Sequence, residues 1–173
     1  MLFLEYWDLY DKNRKPLNKV HQRGIPTNDD EYHIVVSIIT INSKKQILVT
    51  HRDPNKEIYP NLWEVTGGSV ISGETSEDAA LRELFEETGI RCSSDRIKKI
   101  ATVMGTTKGR FSFVDIYITK KDIEIDELTM QPGETTEAKW VTIEQFEEMA
   151  KMGKIAESDF KRFNYVKNIV EES

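Results

Sequence analysis

Three glutamates that stand close together in the chain, Glu83, Glu86 and Glu87, have a spacing that can do chemistry. The segment 76–88 around them predicts a helix, and at about 100° per residue their side chains fall on one side of it. Clustered carboxylates of this kind form either a solvated acidic surface or a site for a hard divalent cation, which prefers oxygen ligands. The helix alone leaves both interpretations open.

The other face of this helix is apolar and is predicted to pack on the core. Arg82, four residues before Glu86, lies on the charged side and compensates part of the repulsion between the acids. The residues predicted to point inward, from their helical spacing, are Ala80, Leu81, Leu84 and Phe85.

The segment before the helix favours a metal site. Gly67 and Gly68 directly follow a predicted strand, and Glu74 adds a further acid before the helix begins. Glycine frees the backbone for a tight loop at this point. The carbonyl of Gly67 could therefore supply an uncharged oxygen to a metal, next to the carboxylates of the helix.

Residues 68–90 follow one pattern as a whole, G-x5-E-x7-R-E-U-x-E-E-x-G-U, where U is an apolar residue. This pattern resembles the Nudix box. Seven fixed identities that arise by chance in a chain of this length have odds on the order of one in a million. The matching residues are Gly68, Glu74, Arg82, Glu83, Leu84, Glu86, Glu87, Gly89 and Ile90.

The resemblance extends from about residue 32 to about residue 146 and implies a fold and a reaction. The fold is α/β, a Nudix-type α/β/α sandwich with a mixed β-sheet flanked by helices. The reaction is hydrolysis of a nucleoside diphosphate linked to another moiety, by water attack on phosphorus with Mg²⁺ or Mn²⁺. Carried onto this chain, Glu86 and Glu87 would hold the metal with Glu83, Glu83 would be the first candidate to deprotonate water, and Arg82 would orient Glu83.

Other residues are candidates for binding the substrate. The resemblance implies an acid from a later loop, for which Glu134 and Glu137 are the choices, although a surface role is the alternative in so acidic a stretch. Arg52 is the cation expected nearest the diphosphate, with a solvated surface role left open. For the other nearby basic residues, a solvated surface position is the preferred interpretation; these are Arg23, His51, Lys56 and Lys108.

The N-terminal half resembles the isopentenyl-diphosphate-isomerase-like branch of the Nudix superfamily, which raises a rival function. Segments that carry this resemblance include Trp7–Asp11, Leu48–Arg52 and Tyr59–Trp63. The isomerase needs a cysteine and a histidine where the chain leaves Trp63, but positions 66–70 hold neither. Cys92 is expected to be a packing residue. A non-catalytic Nudix module is a further alternative, and the complete set of box carboxylates favours the enzyme.

Composition limits the class of protein. The 173 residues are predicted to form a single domain, with a hairpin extension over 1–30, a core over 31–150 and a C-terminal helix over 156–173. The lone cysteine excludes an internal disulfide, and the net charge of −6 argues against general binding to nucleic acid. With no apolar run of about 20 residues and no leader segment, we predict a cytoplasmic enzyme of a small-molecule diphosphate, without membrane partners.

The remaining elements follow from hydrophobic pattern and capping residues. Thr142 and Gln145 have capping-box spacing at the start of a helix over 143–151, and Ser158 is predicted as the N-cap of the last helix. The apolar face of that helix and the exposed N-terminal hairpin together predict a homodimer, unless the helix packs on its own sheet. His33, at the start of a buried strand, is predicted to be a hydrogen-bonded structural residue. Predicted strands cover 3–9, 19–23, 33–41, 46–52, 62–66, 97–105, 110–119 and 138–141.

Overall fold

The computed structural model describes residues 4–107 and 109–173. The predicted part of the first strand at Phe3, and Lys108, lie outside the described residues. Within them the strands are β1 (Tyr6–Tyr10), β2 (Pro16–Gln22), β3 (Tyr32–Ile41), β4 (Ile47–Arg52), β5 (Trp63–Glu64), β6 (Thr66–Ser69), β7 (Ile97–Thr107), β8 (Arg110–Lys120) and β9 (Thr135–Val141). The helices are α1 (Ser76–Thr88), α2 (Ile143–Lys151) and α3 (Glu157–Glu172).

The β3 strand organises a mixed sheet. It pairs antiparallel with β6 and parallel with β8, and β8 in turn pairs antiparallel with β7. β4 joins β3 at Ile41 and Ile47 and also carries β5 and β9. Because helices cover both faces of this sheet, β3 is apolar along almost its whole length. The predicted α/β sandwich with a mixed sheet flanked by helices is confirmed.

Two apolar clusters lie on opposite faces of the sheet. One contains Leu84 and Ala80 of α1, and the other contains Phe146 of α2 with Phe163 and Val166 of α3. The bounds predicted for α1 and α2 are those observed, and Thr142 and Gln145 form the predicted capping box. The box helix is therefore fixed against the sheet by its apolar side.

Two predictions about local structure are wrong. The N-cap of α3 is Ala156, not Ser158, because the Ala156 N–H bonds to the Trp63 carbonyl at 2.9 Å and holds the chain extended there. Phe85 does not point into the core, since its side chain is exposed and the Arg91 guanidinium lies 4.3 Å from the ring centre. The residue that α1 buries instead is Glu87, which is only 5% exposed.

The C-terminal helix packs on its own sheet. Phe163, Val166 and Val170 are buried within the same cluster as β3, β4 and β8. This packing removes that helix as a reason to expect a dimer, and the homodimer stays a prediction that depends on the N-terminal hairpin, where Val20 is 61% exposed. Among the residues described, no helix is long and apolar enough to cross a membrane.

Candidate active site

Arg82 links the acids around the start of the box helix. Its Nε and one terminal nitrogen donate to the two oxygens of Glu74 at 2.6 and 2.9 Å. The other terminal nitrogen donates to Glu83 at 2.8 Å and to Glu86 at 3.1 Å. A planar guanidinium can hold two carboxylates in fixed orientation in this way. The structure thus brings together Arg82, Glu74, Glu83 and Glu86 as the sequence predicted.

The Glu83 carboxylate lies directly against the backbone of β6. A methyl group on Gly68 would overlap the Glu83 carboxylate, so only glycine leaves room for it. Burial is the main cause that raises the pKa of Glu83, while the charge of Arg82 and its hydrogen bond lower it. The site therefore holds an acid that is desolvated and yet tied to a permanent cation.

Glu87 is a buried carboxylate with an unsatisfied oxygen. Its Oε2 has no hydrogen-bond partner among the described residues. Burial raises its pKa well above the ordinary value, and the charges of Glu64, Glu83 and Glu134 raise it further. An acceptor-only group left without a donor in such a place is costly unless a ligand binds it.

Glu83, Glu86 and Glu87 line a cavity of about 240 Å³, the active-site cavity, whereas Glu74 is joined to it only through Arg82. Gly67 of β6 and Arg52 of β4 also line it, as does Glu134 from the loop before β9. Arg52 donates to both oxygens of Glu64 at 2.6 and 2.7 Å, and Lys56 forms an ion pair with Glu134. The predicted cation Arg52 is therefore at the cavity, with its charge already shared with a carboxylate.

Of the other candidates, Arg23 and Lys56 also line the active-site cavity, whereas Glu137, His33 and Cys92 lie elsewhere. Glu137 is not at the active-site cavity, because it stands opposite His51 in the β4–β9 pair and its side chain is 64% exposed. His33 stacks on the Trp7 ring at 4.2 Å, and its Nδ1 lies 3.1 Å from the Phe111 carbonyl. Burial lowers the pKa of His33 to about 4, as expected of a neutral structural histidine. Cys92 lies near Thr119, away from this cavity.

Three acids of the cavity were missed by sequence reasoning: Glu5, Glu64 and Asp159. Burial raises the pKa of Glu64 to about 8 and that of Asp159 to about 6. Arg162 lies 3.4 Å from Asp159, so α3 contributes a paired acid to the wall. In the sequence Glu64 looks like an ordinary strand residue. Asp159 lies nearly a hundred residues after Glu64. Neither acid therefore belongs to a local sequence pattern that could have identified it.

The donor set fits a hard divalent cation. Among the described residues, no three Asp, Glu, His or Cys side chains are already gathered around one point at metal-binding distance. The unpartnered oxygen of Glu87 and the neighbouring carboxylates Glu83 and Glu86 are nevertheless oxygen donors of the kind that Mg²⁺ and Mn²⁺ prefer. Arg82 donates to one oxygen of Glu83 and to one oxygen of Glu86, so the second oxygen of each carboxylate carries no bond to Arg82.

Replacing Glu87 with Gln should stabilise the metal-free protein in a pH-dependent way. Because the folded-state pKa of Glu87 is raised, folding stability falls as pH rises from the ordinary carboxyl range through that raised value. We expect Glu87→Gln to gain on the order of 1 kcal/mol between about pH 4 and pH 8 relative to the wild type. Thermal melts in EDTA at the two pH values measure this difference.

The difference between the two pH values measures the effect of the Glu87 charge alone, because any change in packing caused by the amide alters the stability equally at both pH values. Glu86→Gln is the matched control, because the Glu86 side chain is 41% exposed and should show little pH-dependent gain. A Glu87→Gln variant that is destabilised equally at both pH values would instead assign Glu87 a structural hydrogen bond.

The N-terminal hairpin holds the loop that precedes the box helix. Asp8 of β1 accepts hydrogen bonds from the Ser72 hydroxyl at 2.7 Å and the Gly73 N–H at 3.1 Å. Arg14, in the hairpin turn, donates to buried Asp115 at 2.5 and 2.7 Å, and Asp115 also accepts from Ser76 at the start of α1. The hairpin therefore holds the middle of this loop directly and its end at α1 through Asp115.

Removing the Asp8 contact should loosen that loop. We expect Asp8→Ala to lower the free energy of unfolding by about 1–2 kcal/mol, the usual cost of losing a charged acceptor. Ser72→Ala removes the hydroxyl bond from the other side, so a double-mutant cycle in urea melts should give a coupling of roughly 1 kcal/mol. Additive effects of the two substitutions would show that the hydrogen bond between Ser72 and Asp8 contributes nothing to stability.

The chain resembles known proteins over most of its length. A model of the NUDIX domain matches residues 31–162. An uncharacterised Nudix hydrolase of Listeria monocytogenes is 34% identical over 157 residues, which are 87% of this chain and 87% of that protein. An isopentenyl-diphosphate Delta-isomerase of Corynebacterium diphtheriae is 32% identical over 97 residues, which are 56% of this chain and 52% of that protein. This shorter match is only a weak indication of the isomerase-like branch.

Solved structures share the fold. The crystal structure of DR0079 from Deinococcus radiodurans has a TM-score of 0.73 and 26% identity, and the match covers 88% of this chain and 92% of that one. A bifunctional NMN adenylyltransferase/ADP ribose pyrophosphatase from Francisella tularensis, complexed with AMP and a Mn ion, has a TM-score of 0.64 and 18% identity. The match covers 80% of this chain and 42% of that one, and at this identity it shows the fold alone.

Proposed function

The chain belongs to the Nudix hydrolase family, and we propose that it cleaves the diphosphate bond of a nucleoside diphosphate linked to another moiety, using water and Mg²⁺ or Mn²⁺. Membership in that family makes it a pyrophosphohydrolase. The observation that carries the finer proposal is the position of Arg82, which holds Glu74 and Glu83 beside the buried, unpartnered oxygen of Glu87. An intact acid set of this kind argues against a module that only binds.

Each side chain then has a role set by its surroundings. Glu83 is the base that takes the proton from water, and Arg82 orients it while Glu74 fixes Arg82. Glu86 and Glu87, with Glu83 and the carbonyl of Gly67, would hold the cation. When bound, a divalent cation supplies positive charge to the diphosphate and makes water a better nucleophile. Glu134 and Arg52 face the same cavity and would contact the substrate.

The Francisella tularensis structure that shares this fold holds AMP together with a Mn ion, and we propose the same classes of ligand for the present chain. We also propose that the 173 residues act as one domain in the cytoplasm.

The chain lacks the cysteine and histidine that the isomerase reaction would need at its active site. Residues 66–70 offer no thiol or imidazole, and Cys92 and His33 lie away from the active-site cavity. A proton transfer at carbon needs an acid or base in contact with that carbon. The similarity to the corynebacterial isomerase is therefore one of scaffold.

A substrate screen with an isotope readout tests the function. The panel contains nucleotide sugars, ADP-ribose, coenzyme A, dinucleoside polyphosphates, oxidised nucleotides and prenyl diphosphates, each with Mg²⁺, Mn²⁺ or EDTA. Hydrolysis in ¹⁸O-labelled water should place one heavy oxygen in a phosphate product, and only in the presence of metal. Deuterium uptake into isopentenyl diphosphate, with no ¹⁸O in any phosphate, would establish the isomerase instead.

A further inference from the structure

A second cavity of about 510 Å³ opens beside the active-site cavity. We call it the basic cavity. It shares the side chains of Arg23, Arg52, Lys56 and Ile58 with the active-site cavity, so the two are continuous at these residues. Its other walls are the segment 24–27, which follows β2, and Gly109 and Arg110 at the start of β8. The N-terminal extension thus forms part of a space that opens onto the catalytic carboxylates.

The sign of the charge changes between the two cavities. Seven carboxylates line the active-site cavity, namely Glu5, Glu64, Glu83, Glu86, Glu87, Glu134 and Asp159. Among the described residues, the basic cavity is lined by four cations and by one acid, Glu57. A ligand that spans both spaces would therefore meet metal-binding acids at one end and positive charge at the other.

The four cations differ in whether they already form ion pairs with carboxylates. Arg52 and Lys56 are paired with buried or half-buried acids of the active-site cavity. Arg23 pairs with Glu5 at 2.7 Å, but its side chain is 53% exposed, and exposed pairs of this kind are weak. Arg110 has no carboxylate partner in the described part of the chain. Arg110 and Arg23 are therefore the cations available to a ligand.

Arg110 lies beside the N-terminal hairpin. It begins β8 opposite Thr107 of β7, and its guanidinium lies 6.0 Å from the centre of the Trp7 ring. Trp7 is only 3% exposed, so the ring is a fixed support from the hairpin. An oriented guanidinium without an acid partner is a donor fork that matches a phosphate group.

We propose that the basic cavity binds a phosphate group that the substrate carries in addition to the diphosphate that is cleaved. The inference rests on the proposed function, because it names a class of substrate for that same site. The scissile diphosphate lies toward Glu83, Glu86 and Glu87, and the additional phosphate contacts Arg110 and Arg23. No bond to this additional phosphate forms or breaks, so its effect is on selection of the substrate.

Pairs of compounds that differ by one phosphate test the inference. Coenzyme A with dephospho-coenzyme A, and NADPH with NADH, add a phosphate ester away from the diphosphate, whereas ATP with ADP lengthens the phosphate chain. We expect the phosphorylated member of at least one pair to have a kcat/KM about tenfold higher, as a charged hydrogen-bonded contact allows. Arg110→Gln should bring that ratio close to one, and Arg110→Lys should retain part of it.

Lys98→Gln is the matched control, since it removes one positive charge from the exposed side of β7 and should leave the ratio unchanged. The kind of pair that shows the preference identifies the source of the phosphate, an ester or a longer chain. A wild type without preference in all three pairs, or a preference that Arg110→Gln leaves intact, would overturn the inference. If Arg110→Gln does not fold, Arg23→Gln carries the same test.

A binding measurement separates this inference from the proposed function. In EDTA, adenosine 3′,5′-bisphosphate should raise the melting temperature of the wild type more than AMP does, and Arg110→Gln should abolish the difference. This readout needs no turnover. If no compound is hydrolysed while the Arg110-dependent difference persists, the proposed reaction is wrong and the anion site stands. Equal shifts by the two nucleotides in the wild type, together with equal shifts by ATP and ADP, contradict the anion site even where hydrolysis is found.

Discussion

Replacing Glu83 with Gln is expected to lower kcat by about 10²-fold or more, with little change in stability. The carboxylate accepts from Arg82 at 2.8 Å, and burial raises its pKa, which are the conditions for a positioned base. An amide keeps the size of the side chain but cannot accept the proton and binds a divalent cation poorly. A loss of 10²-fold corresponds to roughly 2.7 kcal/mol of transition-state stabilisation.

The matched control is Glu77→Gln, which removes the same charge from the first turn of the same helix, outside the active-site cavity. Steady-state kinetics at saturating Mg²⁺ and at saturating Mn²⁺ should show the loss in Glu83→Gln alone. Titrating the metal separates two causes, because a defect in metal binding is recovered at high metal concentration and a missing base is not. A Glu83→Gln variant that keeps more than half of the wild-type kcat would remove Glu83 from the role of base.

The local parts of the site were predictable from sequence. The Nudix box specifies α1 and the spacing of Arg82, Glu83 and Glu86, all within one short segment. The repulsion between the carboxylates on α1 was also predictable, since it follows from helical spacing alone. Periodicity failed at Phe85, which is exposed, and at Glu87, which is buried among the acids of the active-site cavity. Hydrophobic spacing does not encode the burial of a carboxylate.

The distant parts of the site were not predictable from sequence alone. Asp8 meets Ser72, and Arg14 meets Asp115, across 64 and 101 residues of chain. Such contacts depend on how the hairpin docks on the sheet, and no periodicity encodes that. The same is true of Glu64, whose importance arises only because Arg52 and Glu87 are brought to its side in the folded chain.

Gly68→Ala is the second substitution with a large expected effect, and it acts through Glu83. The new methyl group would occupy the space of the Glu83 carboxylate, which is the free end of a flexible side chain and can swing away. The backbone can therefore stay in place, and we expect a loss of less than about 1 kcal/mol in the free energy of unfolding. A displacement of the base by about 1 Å can cost on the order of 10²-fold in kcat.

A double mutant decides whether the loss comes from displacement of Glu83. If Gly68→Ala acts only by moving that carboxylate, the effects on kcat do not add, and Gly68→Ala with Glu83→Gln is about as slow as Glu83→Gln alone. Additive losses would show instead that the methyl group blocks the substrate or another part of the cavity. Because the side chain of Glu83 is held by Arg82 against the backbone of Gly68, we expect the non-additive result, which makes this glycine a positioning residue for the base.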